Sequence, residues 1–212
     1  MGRHTANTSR QPNEFVREAA QAYNKAYGFR RITEGVYVAV DESRARRIAE
    51  VYESLPDDDS RNPVVRKAYE QLADEIERQW NFAIVAMGIT FEPWRCEGQP
   101  YANSGDMCGD VRSHHRLYYF QGGDPHPLLG RLDPATGLSL NDKFRAIHDL
   151  FGHAAEGYGF GPRGEETLGS GTATCSALMR KKLRQRKHAG KIVGSILAGI
   201  ITIPLAITLA GL

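Results

Sequence analysis

The sequence predicts an α+β fold, with a helical N-terminal half, a few short strands, a histidine-bearing helix and a C-terminal hydrophobic, transmembrane-like helix. Three observations carry this reading. Apolar residues recur at three- and four-residue spacing between Phe15 and Ile84, the signature of helices with one buried face. Short aromatic or alternating runs bounded by Gly, Pro, Asn and Asp follow, between Ile89 and Phe120. The last stretch, Ile192 to Leu212, carries no charge.

The boundaries follow in chain order. Residues 1–11 are polar and read as disordered, with no apolar core of a signal peptide. Residues 12–166 form one domain, 167–191 a polar and basic linker, and 192–212 a hydrophobic segment. Pro12 starts a helix with Phe15, Ala19, Tyr23, Ala26 and Tyr27 on one side, stopped by Gly28. Val36 to Val40 alternates weakly as a short strand, and Asp41 caps a helix carrying Ala45, Ile48, Val51, Tyr52 and Leu55. Asn62 followed by Pro63 opens a longer helix with Val65, Ala68, Tyr69, Leu72, Ile76, Trp80 and Ile84, ending near Gly88. Ile89 to Trp94 reads as a strand, placed at an edge by Pro93. Gln99 to Asp110 reads as a loop, Leu117 to Phe120 as a second strand, and Gly122 to Pro125 as a turn.

Composition narrows the function classes. A chain of 212 residues with 41% hydrophobic content supports one sizeable domain. A net charge of +2 does not point to nucleic acid as a partner of that domain. Cys96, Cys108 and Cys175 form no C-x-x-C pair, so neither a disulfide scaffold nor a cysteine metal knuckle is indicated, and a reducing cytoplasm is the default. There is no P-loop, no dinucleotide-binding glycine motif, no G-x-S-x-G and no H-E-x-x-H.

The chemistry concentrates between Leu140 and Glu166. Asn141 or Ser139 caps a helix whose Phe144, Ile147, Leu150, Phe151 and Ala154 form an apolar face. His148 and His153 lie on it with Asp149 between them, and a glycine-dense loop then leads to Glu165 and Glu166. Two imidazoles with nearby carboxylates are the ligand types of iron and zinc. Five residues advance an ideal α-helix by 500°, leaving the histidines roughly 140° apart, so they share an ion only if the helix is distorted or ends near Gly152. The plainer reading is a structural helix with one core histidine, one surface histidine and an acidic loop.

Lesser candidates sit in the preceding loops. Asp106, Asp110 and His126 are second-rank site residues, each also readable as a turn or cap. His114 and His115 beside Arg112 and Arg116 suggest a metal or phosphate patch, or the solvated end of a strand. Cys108 is a weak nucleophile candidate with His114 or His148.

Two resemblances add to this. H-D-L-F-G-H, from His148 to His153, resembles the H-x-x-x-G-H segment of the pterin-dependent aromatic amino-acid hydroxylases. That resemblance implies a two-His-one-carboxylate iron site on His148, His153 and one of Glu165 or Glu166, though the glutamate of those enzymes lies several tens of residues downstream. P-Y-A-N-S-x-x-M at Pro100 to Met107, H-P-L-L at His126 to Leu129, and N-D-K-F-R-A-I-H-D-L-F-G-H…F-G-P-R-G-E-E together resemble an uncharacterised family of tailed-phage and prophage proteins. This similarity spans roughly Pro100 to Glu166 and implies a phage-type origin without an activity.

The tail departs from that family. After G-E-E the family continues approximately N-A-W-x-x-H-x-x-M and later T-E-T-R-G-Q-N-S-W. Codons for the tail, read one base earlier, permit both strings. From about Thr167 the chain therefore reads as out of the family's frame, which the coding DNA tests. As written, Ile192 to Leu212 is long enough to span a bilayer. The flank Arg180, Lys181, Lys182, Arg184, Arg186, Lys187 and Lys191 keeps the preceding domain cytoplasmic. The same flank is a contact for anionic lipid or nucleic acid. Without the tail, a cytoplasmic or virion location is expected.

The leading expectation is a phage-type metal-dependent enzyme using iron or zinc. His148, His153 and Glu165 or Glu166 are its ligands, and Asp149 is a general base or an orienting group. The alternative is a non-enzymatic virion or membrane-anchored protein with a structural histidine helix.

Overall fold

The computed structural model of the chain describes residues 12–29, 43, 46, 47, 50, 60–121, 126–161 and 164. Their elements run α1 (Glu14–Ala26), α2 (Pro63–Asn81) continued by a π turn (Phe82–Ala86), β1 (Thr90–Trp94), α3 (Ser104–His114), β2 (Arg116–Phe120), and α4 (Leu140–His148) continued by a second π turn (Asp149–Ala154). Helices plus a small two-stranded sheet agree with the α+β expectation.

Helices α1 and α4 begin where their capping chemistry stands. Asn13 opens α1, its side chain accepting from Val16 N. Ser139 rather than Asn141 caps α4, in a reciprocal capping box with Asp142. The buried face of α1 is Val16, Ala20, Tyr23 and Asn24; of the expected stripe Tyr23 is buried and Ala19 packs against the core, whereas Phe15 and Tyr27 are exposed. On α2, Val65, Tyr69, Ile76 and Trp80 are buried as expected. Ile84 is exposed, and Ala83 and Met87 take the inward places around the π turn.

The expected loop at Gln99 to Asp110 is corrected in its second half, because Ser104–His114 is helix α3. Its two glycines and polar composition mask the pattern. Asn103 caps it by accepting from Asp106 N, and Met107, Cys108 and Val111 form a narrow buried face. Helix α3 carries the chain from β1 to β2, which pair in parallel with Phe91 opposite Leu117 and Pro93 opposite Tyr119. A two-stranded sheet has two edges, so Pro93 sits where its missing N–H is tolerated.

All these elements close on one core. Phe144, Ile147, Leu150, Phe151 and Ala154 are all within 2% of full burial. They join Ile76, Trp80, Met107, Val111, Leu117 and Tyr119 in one cluster. At about 1.5–3 kcal/mol for each large side chain, this stripe makes the histidine helix the central rod of the domain. Lys143 ties it to α2 by donating to Glu77 at 2.6 Å.

The expected strand at Val36 to Val40 lies outside the described residues. Of the helix after Asp41, only Ser43, Arg46, Arg47 and Glu50 are described, and they are helical and exposed. Glu165, Glu166, the basic flank and Ile192 to Leu212 also lie outside them. Among the described residues, no helix is long and apolar enough to cross a membrane.

Candidate metal centre

The two histidines meet because the helix changes its winding. Across Asp149–Ala154 the backbone is a π-helix, in which each hydrogen-bonded ring spans five residues instead of four. Residues five apart are therefore drawn toward one face, and the separation of roughly 140° expected of an ideal α-helix shrinks. His148 Nε2 and His153 Nε2 stand 3.1 Å apart, with the rings at 86° to each other. The distortion anticipated near Gly152 is this π turn; the helix does not end there, and Ala155 and Glu156 continue it as α-helix.

A wider turn leaves backbone carbonyls to satisfy, and neighbouring elements do so. Ala154 O accepts from Asn13 N at 3.0 Å, at the start of α1, and Cys108 Sγ of α3 lies 3.9 Å from it. Glu156, fully buried, faces Arg17 of α1 at 3.5 Å. The π turn is thus held from outside by two other helices.

His153 is fixed at its second nitrogen. Gly157 takes φ +70°, a conformation that disfavours any side chain, and its N–H donates to His153 O at 2.7 Å. The reversal returns the Tyr158 carbonyl to His153 Nδ1 at 3.1 Å. A carbonyl only accepts, so Nδ1 carries the proton and Nε2 presents a lone pair toward His148. Metal-binding histidines are commonly oriented in this way. His148 is 7% exposed and His153 1%.

Asp149 completes the group. Ligand atoms of His148, Asp149 and His153 all lie within 4.8 Å of one another, an arrangement that can hold a metal ion. Metal–imidazole bonds of about 2.0–2.1 Å let two nitrogens on one ion stand up to ~4 Å apart, so the observed separation suits a shared ion. Asp149, taken from sequence as an orienting group or base, thus stands among the ligand candidates. Glu156 was missed; its H-x-x-E spacing from His153 is a sequence signal, but its carboxylate faces Arg17 and is not in the group.

The second-rank candidates do not converge on this centre. Asp106 is the exposed partner of the Asn103 cap. Asp110 accepts from Tyr101 Oη at 3.0 Å and from Arg116 at 2.9 Å, and pairs with His114 Nδ1 at 2.8 Å. Partial burial works against its ionisation, yet the bonds from Arg116, Tyr101 and His114 hold its pKa below the usual carboxylate value. His115 stacks on Phe15 at 4.8 Å, away from this pairing, so the two adjacent histidines make no joint metal patch. His126 serves its own turn: Nδ1 accepts from Leu128 N at 3.1 Å and Leu129 N at 2.9 Å. Cys108 is buried and its thiol pKa is raised by burial, which opposes a thiolate nucleophile.

No protein-family model, curated protein or solved structure matches this chain.

Proposed function

We propose that the chain is a metal-dependent enzyme of phage or prophage type whose centre is built on His148 and His153. The observation that carries this is the approach of their Nε2 atoms, made by a π turn and backed by the Tyr158 carbonyl at His153 Nδ1. A π turn gives up regular helix hydrogen bonding, and such turns gather at functional sites. Asp149 supplies a carboxylate beside the pair, as third ligand or as the base that takes a proton from a bound water. Two nitrogens and a carboxylate suit iron(II) with an oxygenase role or zinc with a hydrolase role. When bound, the ion polarises an oxygen or lowers the pKa of its water. Glu165 or Glu166 remains an alternative third ligand from the sequence pattern alone.

One observation favours the non-enzymatic reading. At 3.1 Å, His148 Nε2–H can donate directly to the His153 lone pair, and the two imidazoles then satisfy each other without metal. Elemental analysis separates the readings. Near-stoichiometric iron or zinc in the purified chain, lost in a His148→Ala/His153→Ala double mutant with unchanged circular dichroism, supports the enzyme. A double mutant that unfolds, from a parent that takes up no metal on reconstitution, supports a structural helix in a virion or membrane-anchored protein.

A further inference from the structure

Phe144, the Tyr158 carbonyl and Phe160 are three of the groups that stand against the two imidazoles. Phe144 lies beside His148 at 6.5 Å between centroids, the Tyr158 carbonyl meets His153 Nδ1, and the edge of Phe160 meets the His153 ring at 4.9 Å and 74°. Phe144 is 2% exposed and Tyr158 0%, whereas Phe160 is 39% exposed. Of the three, only Phe160 reaches solvent.

The flanking glycines point the same way. Gly157 needs to be glycine because its φ is positive. Gly164 needs to be glycine because a Cβ there would lie 1.8 Å from Gly159 O. Gly159 and Gly161 have neither reason: no atom lies within 4 Å of a Cβ at either position, and neither has a positive φ. Alanine would fit both and would lower the entropy of the unfolded chain, worth about 0.4–1 kcal/mol per site. What glycine adds on either side of Phe160 is backbone freedom.

We propose that Phe160 is a specificity-determining gate over the open positions of the His148/His153 centre. With the ring against His153, a small ligand such as water or a triatomic anion reaches the ion. A ligand bearing a ring-sized group enters only when the Gly159–Gly161 segment turns the phenyl away. The proposal rests on the metal reading and names the side chain that sorts its ligands by size.

The test uses the full chain loaded with cobalt(II), titrated with azide and with 4-phenylimidazole and followed by visible absorption. Phe160→Ala is expected to bind azide as the parent does and to bind 4-phenylimidazole at least about tenfold more tightly, the scale of one removed pocket contact. Phe160→Trp is expected to weaken 4-phenylimidazole and leave azide unchanged, and it decides alone should the alanine variant not fold. A Gly159→Ala/Gly161→Ala pair is expected to slow entry of 4-phenylimidazole only. Equal 4-phenylimidazole affinity in the parent, Phe160→Ala and Phe160→Trp overturns the gate while leaving the metal centre standing. Absence of any cobalt spectrum that depends on His148 and His153 overturns the metal reading itself, and the gate with it.

Discussion

Gly157 and Tyr158 show how single residues orient His153 without entering the candidate centre. The positive φ of Gly157 aims the Tyr158 carbonyl at His153. Gly157→Ala is expected to cost about 1–2 kcal/mol in urea unfolding, the strain of a left-handed residue. Loosening the imidazole should also weaken zinc about tenfold or more in a competition assay. His126 is a second case. Its Nδ1 is an acceptor, its Nε2 is buried without a hydrogen-bond partner, and burial lowers its pKa from 6.5 to about 4. The folded state therefore favours the neutral ring, and its contribution is whole above pH 6.5. It is lost as the pH falls from 6.5 through about 4, because the unfolded chain binds the proton first. His126→Asn, whose amide oxygen can accept the same N–H groups, should flatten stability against pH across that window. An unchanged slope in urea titrations between those values would refute this assignment. The histidine was readable as a cap from sequence, but its burial was not, since the Tyr69 ring that lies 5.3 Å away is far off in the chain.

Among the elements, the second π turn makes the most specific prediction. Residues five apart converge on a π turn; residues four apart lie only about 40° from alignment on an α-helix. Deleting Gly152 should return this segment to α-helix with the histidines at four-residue spacing, so zinc binding is expected to persist. Ala154, Ala155 and Glu156 follow His153 and should keep their places against α1 and α3, because a π turn accommodates one extra residue and its removal restores the α-helical path. Loss of zinc binding in a deletion variant that stays folded would show that convergence depends on the π geometry itself. The apolar stripe of α4 was legible because its spacing survives through Ala154. Helix α3 was not, since Gly105, Gly109 and six polar residues dilute a face of only Met107, Cys108 and Val111.

For the whole molecule, the centre depends on a helix more than a hundred residues earlier in the chain. Asn13 N caps Ala154 O, and Arg17 faces the buried Glu156. Arg17→Ala is expected to destabilise the chain by about 3 kcal/mol, as removal of one member of a buried ion pair does. A second tie is the buried Glu75 of α2, which accepts from Tyr23 Oη of α1 and from Gln79, each at 2.8 Å. Glu75→Ala should cost about 1–3 kcal/mol, because it leaves the buried Tyr23 and Gln79 donors unsatisfied, while leaving metal stoichiometry unchanged in the folded fraction. The hydrophobic stretch Ile192 to Leu212 belongs to this scale too. Cell fractionation of the full chain beside one lacking it tests the proposed membrane anchor: a full chain found wholly in the soluble fraction would end that proposal.

By itself the sequence determined what depends on neighbours along the chain. These are the histidine helix with a cap at Ser139 or Asn141, its apolar stripe, the strands at Phe91 and Leu117, and the pairing of imidazoles with carboxylates as metal-type ligands. It also set the condition for a centre, because spacing of five on an α-helix excludes convergence. Only the tertiary structure decided that the condition is met. A π turn is disfavoured locally and persists where distant groups accept its geometry, here Asn13, Cys108 and Arg17. No local pattern encodes partners separated by that much chain, so the capping of Ala154 and the meeting of His148 with His153 belong to the fold.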